Sequence, residues 1–420
     1  MPTRRSIMKK ALLATLILTL PMFANAEGEH HPLETVNAPM FGQSRDAIET
    51  KLKTHTVSGS AFTKAYADQF VEAIGKVEIL KAIDSELATI KGTIEDFEAF
   101  KQTATKQLPV LKEFDADMHA YVFRIAELLD IPVEDYWVSM YMDGAWVEGM
   151  QPMVSRVWNG NQALLKSAYE DMIQGRGGCT TAAWTNGIIG GNMDFSSLFL
   201  GHQQLIQSDD LIFEGTYYGA FRAMGKNIGI VVNTLVTDST GYGANGLPQQ
   251  IIIASVAKRA VDVGHARELL ASVKAESPFN YTLADKKGNA VAYNMVESDQ
   301  PVTVEAENGA VVHTNHRTSS REKLLAAWDN DYRVANEHVG YSIARRDLAS
   351  ILLKIVPENE RNVESMKTIL RTQPILMKAA NGLDFGTTNS YVIDLNAGCM
   401  YMSPDRPDLV NYEKFCFDDK

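Results

Sequence analysis

The sequence predicts an α+β layered fold in which helices pack on antiparallel sheets. Two patterns predict it. From residue 179 onward, β-branched and apolar runs are joined by short Asn- and Gly-rich turns. Before residue 132, and again over 248–273 and 320–370, the apolar spacing is helical. Composition agrees with a globular chain: 420 residues, 45% hydrophobic and 22% charged. Those values exclude a collagen, a coiled-coil rod and a wholly disordered chain. The length allows two or three domains. Asp plus Glu number 52 against 40 Lys plus Arg, a net charge of -12. That balance argues against binding to nucleic-acid phosphates.

The N-terminus reads as an address. Arg4, Arg5, Lys9 and Lys10 precede the apolar run Ala11 to Phe23, and Ala24-Asn25-Ala26 is a small-x-small cleavage site. This is the pattern of a secretory signal peptide over 1–26, and the apolar run is short for a membrane span. The mature chain is expected to be secreted or periplasmic and off the membrane. Residues 27 to 60 are polar and mixed, and the pair His30-His31 gives weak support for a metal site. Helical patterning runs from Ala61 to Thr93 and from Ile94 to Ile131, with Pro109 expected to end or kink the second stretch and Pro132 to close it. The aromatic-rich stretch from Tyr136-Trp137 to Trp146 reads as core or pocket wall. Leu164 to Ile173 reads as a further helix, and Gly175-Arg176-Gly177-Gly178 breaks the pattern. That glycine run lacks the Lys-Ser/Thr ending of a phosphate loop.

Strand patterning follows. Asn186-Gly187 is a two-residue hairpin signal between Thr180–Thr185 and Ile188–Phe195. Ile228 to Val236 is a rich β run, and Pro248 opens a helix reaching about Val273. Strand pairs are expected around Lys287-Gly288-Asn289 and Asn308-Gly309, helices over Ser320 to Leu370, and a final hairpin turning at Asn396-Ala397-Gly398.

Of the three cysteines, Cys399 and Cys416 are near enough in sequence to pair in an oxidising compartment or to stay buried thiols. Cys179 is left over, and an odd cysteine in an exported chain is a candidate reactive thiol. A two-residue Asn186-Gly187 loop sets Thr185 opposite Ile188, and therefore Cys179 opposite Asp194. A bulge at Gly190-Gly191 would shift that register by one. A carboxylate raises the pKa of a neighbouring thiol, so it suits a cation better. That cation is available if the chain is cut between Gly178 and Cys179. The freed α-amine, with a reference pKa of about 7.7–8.0, is a usable general base on the nucleophile's own residue. A buried, inert Cys179 is the competing reading of the same residues. His313 and His316 flank Asn315 and are expected to be surface or packing histidines that point apart, with no metal site.

Gly178-Cys179-Thr180-Thr181 followed by Gly190-Gly191-Asn192-Met193-Asp194-Phe195 resembles the N-terminal-nucleophile hydrolases of the acyl-coenzyme A:6-aminopenicillanic-acid acyltransferase family. Penicillin V acylases, bile salt hydrolases and acid ceramidase are more distant relatives. The likeness continues through Ile228 to Asn233, Gly246-Leu247-Pro248, Asn280 to Asp285, His313-Thr314-Asn315-His316 and Ser390 to Pro404, and Ala126 to Pro132 resembles the prosegment. The resemblance implies a four-layer αββα fold. It implies Cys179 as the nucleophile exposed by autocatalytic cleavage, Asp194 as the contact of its amine, and Asn315 as an oxyanion donor worth about 2.7–4 kcal/mol. A second donor is implied from the backbone near Asn233, Val236 and Thr237. Penicillin V acylases and bile salt hydrolases carry an arginine three residues before the aspartate, where this chain has Gly191. That departure implies a lost cation near the thiolate, argues against bile-salt specificity, and points toward the acyltransferase branch. The family's later arginine is not mapped.

The expectation is a self-processing cysteine amidohydrolase that cleaves a linear amide of a small N-acyl substrate through an acyl-enzyme. Residues 27–178 form a small chain that stays bound to the catalytic chain 179–420, and the cleaved protein is a candidate homo-oligomer. No metal or other cofactor is implied. Two alternatives stand beside it: an acyltransferase that moves an acyl group from a thioester or amide to an amine, and a non-enzymatic periplasmic binding or structural protein.

Overall fold

In a computed structural model, residues 52–149, 178–196, 204–216, 219–235, 242–295, 301–316, 333–377 and 385–417 are described. The expected signal peptide, the His30-His31 pair and the helix expected over 164–173 lie outside them.

Two sheets form the centre. The larger runs β1-β4-β5-β6-β7-β8-β9-β10, with β1 Lys53–Thr56, β4 Gln204–Gln207, β5 Leu211–Thr216, β6 Gly219–Gly225, β7 Ile228–Thr234, β8 Phe279–Asp285, β9 Ala290–Met295 and β10 Val302–Glu305. The smaller runs β11-β2-β3-β12-β13-β14, with β11 Ala310–His313, β2 Cys179–Trp184, β3 Ile188–Ser196, β12 Phe385–Asp394, β13 Cys399–Ser403 and β14 Glu413–Cys416. All pairings among the described strands are antiparallel except β1 with β4. Ala183, Ile189, Ile212, Met224, Val231, Tyr391 and Ile393 come from both sheets and fill the layer between them.

Helices cover both outer faces. The larger sheet carries α1 Lys64–Ile74, α2 Lys76–Thr93, α3 Phe97–Thr105, α4 Leu108–Phe114, α5 Ala116–Leu129, α6 Val133–Val138, α7 Gln249–Arg259 and α8 Val263–Ala271, which share one apolar core with it. The smaller sheet carries α9 Arg333–Ile355 and α10 Val363–Leu370. The order is helix, sheet, sheet, helix, the αββα layering expected. The helices before residue 150 are integral to the fold, because their buried stripe (Tyr66, Phe70, Tyr121, Ile125) packs into the same core as Phe213 and Tyr281 of the larger sheet.

Several boundaries differ from the sequence expectation for local reasons. Pro109 starts α4 instead of ending a helix, since a first-turn proline surrenders no intrahelical bond. The stretch after Pro248 is two helices, because Asp262 caps a new start through the His265 amide at 2.9 Å. Asn308-Gly309 does not join a hairpin: β10 and β11 belong to different sheets, and the turn carries the chain across. Tyr136, Trp137 and Tyr141 are core, and the Trp137 indole donates to the Ala104 carbonyl at 2.8 Å. Cys399 and Cys416 face each other on β13 and β14 and form a disulfide.

Candidate active site

The hairpin β2–β3 places the candidate nucleophile, with a register one residue away from the expected one. Cys179 faces Met193, and Asp194 faces Gly178, whose carbonyl accepts from the Asp194 amide at 2.6 Å. The loop has three residues. The Gly187 amide closes a turn onto the Trp184 carbonyl at 3.3 Å, and Gly187 takes a left-handed φ of 86°. A turn followed by a left-handed glycine is the three-residue hairpin geometry, so the bulge lies at the turn and not at Gly190-Gly191. A one-residue slip exchanges sheet faces. Cys179 shares a face with Thr181 and Ala183, toward the inter-sheet layer. Asp194 shares the opposite face with Asn192, whose amide reaches the Leu370 and Ile375 carbonyls on the helical side.

Cys179 is 7% exposed and is the one free cysteine among the described residues. Burial and the charge of Asp194 push its thiol up to about 11, opposed by the Asp194 backbone N–H and by the guanidinium groups of Arg222 and Arg345. Burial holds the Asp194 carboxyl up near 6, against the pull of Arg345 and of the Thr387 hydroxyl, which donates to Asp194 Oδ1 at 2.5 Å.

Arg345 organises the site. It is fully buried on α9, donating through Nη1 to the Cys179 carbonyl at 2.6 Å and to Thr180 Oγ1 at 3.1 Å, and through Nη2 to Asn315 Oδ1 at 2.8 Å. Its Nη1 lies 3.7 Å from Asp194 Oδ2. Local motifs do not point to this residue, but helical spacing does. Ser342, Arg345, Ala349 and Leu353 are buried positions of α9, at spacings of three and four, so the arginine sits on the core stripe. The expected loss of positive charge around the thiol is therefore corrected: Arg222 of β6 and Arg345 both act on it, from elements remote in sequence.

Asn315 is brought to the nucleophile, in a different role from the expected one. Its Oδ1 accepts from the Cys179 backbone N–H at 2.8 Å, and its Nδ2 donates to the Thr234 carbonyl at 2.9 Å. In the uncut chain, then, the Cys179 nitrogen is held by Asn315, and Asp194 binds Thr387 and Arg345. Asn233 lies behind the site, its Oδ1 accepting from Thr181 Oγ1 and Asn280 Nδ2 at 2.9 Å each and its Nδ2 donating to the Thr314 carbonyl at 2.6 Å. Asn233 and Asn315 thus tie the end of β7 to the segment after β11 reciprocally. Val236 and Thr237 lie outside the described residues.

His313 and His316 are both buried, which excludes a surface role for either. Their rings stack at 6.2 Å, but their partners differ: Asn233 for His313, and Thr314, Ser342 and Arg346 for His316. Burial lowers them to about 3 and about 4, so both are neutral at pH 7. No group of three or more metal-ligating side chains occurs among the described residues.

The family model described as acyl-coenzyme A:6-aminopenicillanic acid acyl-transferase matches residues 186–408, more than half of the chain. The chain belongs to this family. It is thus an enzyme of the N-terminal-nucleophile hydrolase and acyltransferase class. The matched span holds Asp194, Arg222, Asn233, Asn315 and Arg345 and begins after Cys179. Among solved structures the chain is similar to the Caenorhabditis elegans ortholog of N-acylethanolamine-hydrolyzing acid amidase, at 17% identity and TM-score 0.39, covering 57% of this chain and 100% of that one. It is also similar to a mutant of conjugated bile acid hydrolase from Clostridium perfringens, at 12% identity and TM-score 0.38, covering 58% and 97%. A third is penicillin V acylase from Agrobacterium tumefaciens, at 12% identity and TM-score 0.33, covering 54% and 82%. No curated protein sequence matches the chain.

Proposed function

We propose that the chain cuts itself between Gly178 and Cys179 and then cleaves a linear amide of a small N-acyl substrate. The observation that carries this reading is the arrangement around one peptide bond. The Gly178 carbonyl is polarised by the Asp194 amide at 2.6 Å, and the Cys179 nitrogen is held by Asn315 Oδ1 at 2.8 Å, on either side of the bond to be cut. In the first step the sulfur attacks the Gly178 carbonyl carbon, the C–N bond breaks, and the nitrogen takes up the thiol proton. Water hydrolyses the resulting thioester, releasing a Gly178 carboxylate and restoring the thiol. Gly178 has little room for a side chain, since a β-carbon there would stand 3.1 Å from Asp194 Oδ2 and 3.2 Å from Arg345 Nη2. Once residue 178 leaves, Asp194 Oδ2 faces the new amine.

In turnover the α-amine takes the thiol proton as the sulfur attacks the amide carbonyl, and returns it to the leaving amine. Asn315 stays beside the amine, held by Arg345. Water resolves the acyl-enzyme, or an amine captures it. The family's description as an acyl-transferase supports the second outcome as an alternative. Export is part of the proposal, supported by the leader pattern and by a Cys399–Cys416 disulfide that suits an oxidising compartment.

N-terminal sequencing of the purified protein tests the first step: the expected second chain starts at Cys179. A panel of N-acyl amides, with free acid and transfer to an added amine measured separately, tests the second. The Cys179→Ala variant is expected neither to be cut nor to turn over. A variant that keeps full activity overturns the mechanism.

A further inference from the structure

The inter-sheet face of the nucleophile holds a buried ion pair that the mechanism above does not use. Glu214 of β5 and Arg222 of β6 are 3% exposed each and bonded to one another, and the Arg222 guanidinium lies 4.3 Å over the ring of Tyr391 on β12. Arg222 Nε has no hydrogen-bond partner among the described residues. Taking two charges out of water costs several kcal/mol per ion, so an ion pair kept fully buried between the sheets invites a functional reading.

Three residues explain how Arg222 comes to share a layer with the thiol. Tyr391 is the register partner of Gly191 on β3. A β-carbon at 191 would collide with the Tyr391 hydroxyl and the Thr180 carbonyl. The absence of a side chain at 191 therefore lets the Tyr391 ring extend over β3, toward β2. That ring is the platform for Arg222. The alternation of β2 points Cys179 into the same layer from the other side.

We propose that Arg222, clamped by Glu214 and laid on Tyr391, is a positioning residue that stabilises the thiolate of Cys179 from the inter-sheet face, in place of a cation on β3. The proposal rests on Cys179 being the nucleophile. Around the thiol, Arg222 and Arg345 favour the anion and Asp194 opposes it, while Tyr391 stays protonated, its phenol pushed up to about 12 by burial. Glu214 tempers Arg222. This geometry gives the two members of the pair opposite effects on the sulfur, which a purely structural salt bridge would not do.

Alkylation by iodoacetamide reads the thiolate directly, because Cys399 and Cys416 are paired and Cys179 is the free thiol. Mass spectrometry separates cut from uncut chain, so like forms are compared. Removing one nearby opposite charge moves a thiol by about one unit, hence about tenfold in rate at fixed pH below the midpoint. Arg222→Gln is expected to slow alkylation at pH 8 by about tenfold and to move the midpoint upward. Glu214→Gln, which releases the cation, is expected to speed it and to move the midpoint downward. Arg222→Lys is expected to fall between wild type and Arg222→Gln. If Arg222→Gln does not fold, Glu214→Gln decides alone. Equal slowing by both single variants, or an unmoved midpoint in Glu214→Gln, overturns the proposal. A chain that is never cut would sink the proposed function, while the alkylation series on the uncut form would still judge Arg222.

Discussion

Replacing Arg345 by Met should be the most informative single change outside the nucleophile. The substitution keeps an unbranched apolar stem on the core stripe of α9 but removes donors to the Cys179 carbonyl, Thr180 Oγ1 and Asn315 Oδ1, and it removes the cation beside Asp194. Stripping one partner from a buried charge pair costs about 3–5 kcal/mol, chiefly because the remaining charge stays buried. Taking about 4 kcal/mol and an unfolding entropy of ~2.1 cal/mol/K per residue, the thermal midpoint should fall by about 5 °C. Adding Asp194→Asn should recover about 2 kcal/mol, because no uncompensated carboxylate is left. Calorimetry on the four proteins of this cycle is the assay. The pH dependence carries a sign. The Asp194 carboxyl, already held near 6 in the fold against an ordinary 3.8, rises further without Arg345. The folded variant then binds a proton that the unfolded chain does not, so the deficit of Arg345→Met relative to wild type should shrink as pH falls from 8 to 5. Additive single effects, or a deficit that widens on acidification, would refute the assignment of Arg345 as the counter-charge of Asp194.

Three further outcomes are expected. Asn315→Ala removes the acceptor of the Cys179 nitrogen and an anchor of Arg345, and should lower amide turnover by about 100-fold, the size expected when a reacting group is misplaced, in a chromatographic product assay. His313, kept neutral at about 3 by burial, refuses a proton that the unfolded chain accepts near 6.5. Stability should therefore be lost as pH falls from 6.5 toward 3, and His313→Gln should flatten that slope in urea titrations at pH 7 and 4.5. Opening the Cys399–Cys416 disulfide, whose cysteines are 17 residues apart, should destabilise β14 and cost about 3 kcal/mol, read by melting with and without reductant.

The layered fold class, the strand-rich half after residue 179 and the closing hairpin were legible along the chain. Period-2 and helical patterns are local properties that tertiary contacts rarely overrule across a long element. The candidate nucleophile and the residues near it in sequence were legible too, since Gly178, Cys179 and Asp194 belong to one hairpin. The register of that hairpin was less legible. Asn186-Gly187 fits both a two-residue and a three-residue loop, and only the left-handed Gly187 closing onto Trp184 selects between them. That one residue decides that Asp194 meets Gly178 rather than the thiol. The electrostatics of the site came from the tertiary structure alone. Arg222 arrives from the facing sheet and Arg345 from a helix on the outer layer, each more than forty positions from Cys179. Charges act through space, and a pattern read along the chain holds no distance between β2, β6 and α9 until the layers are packed.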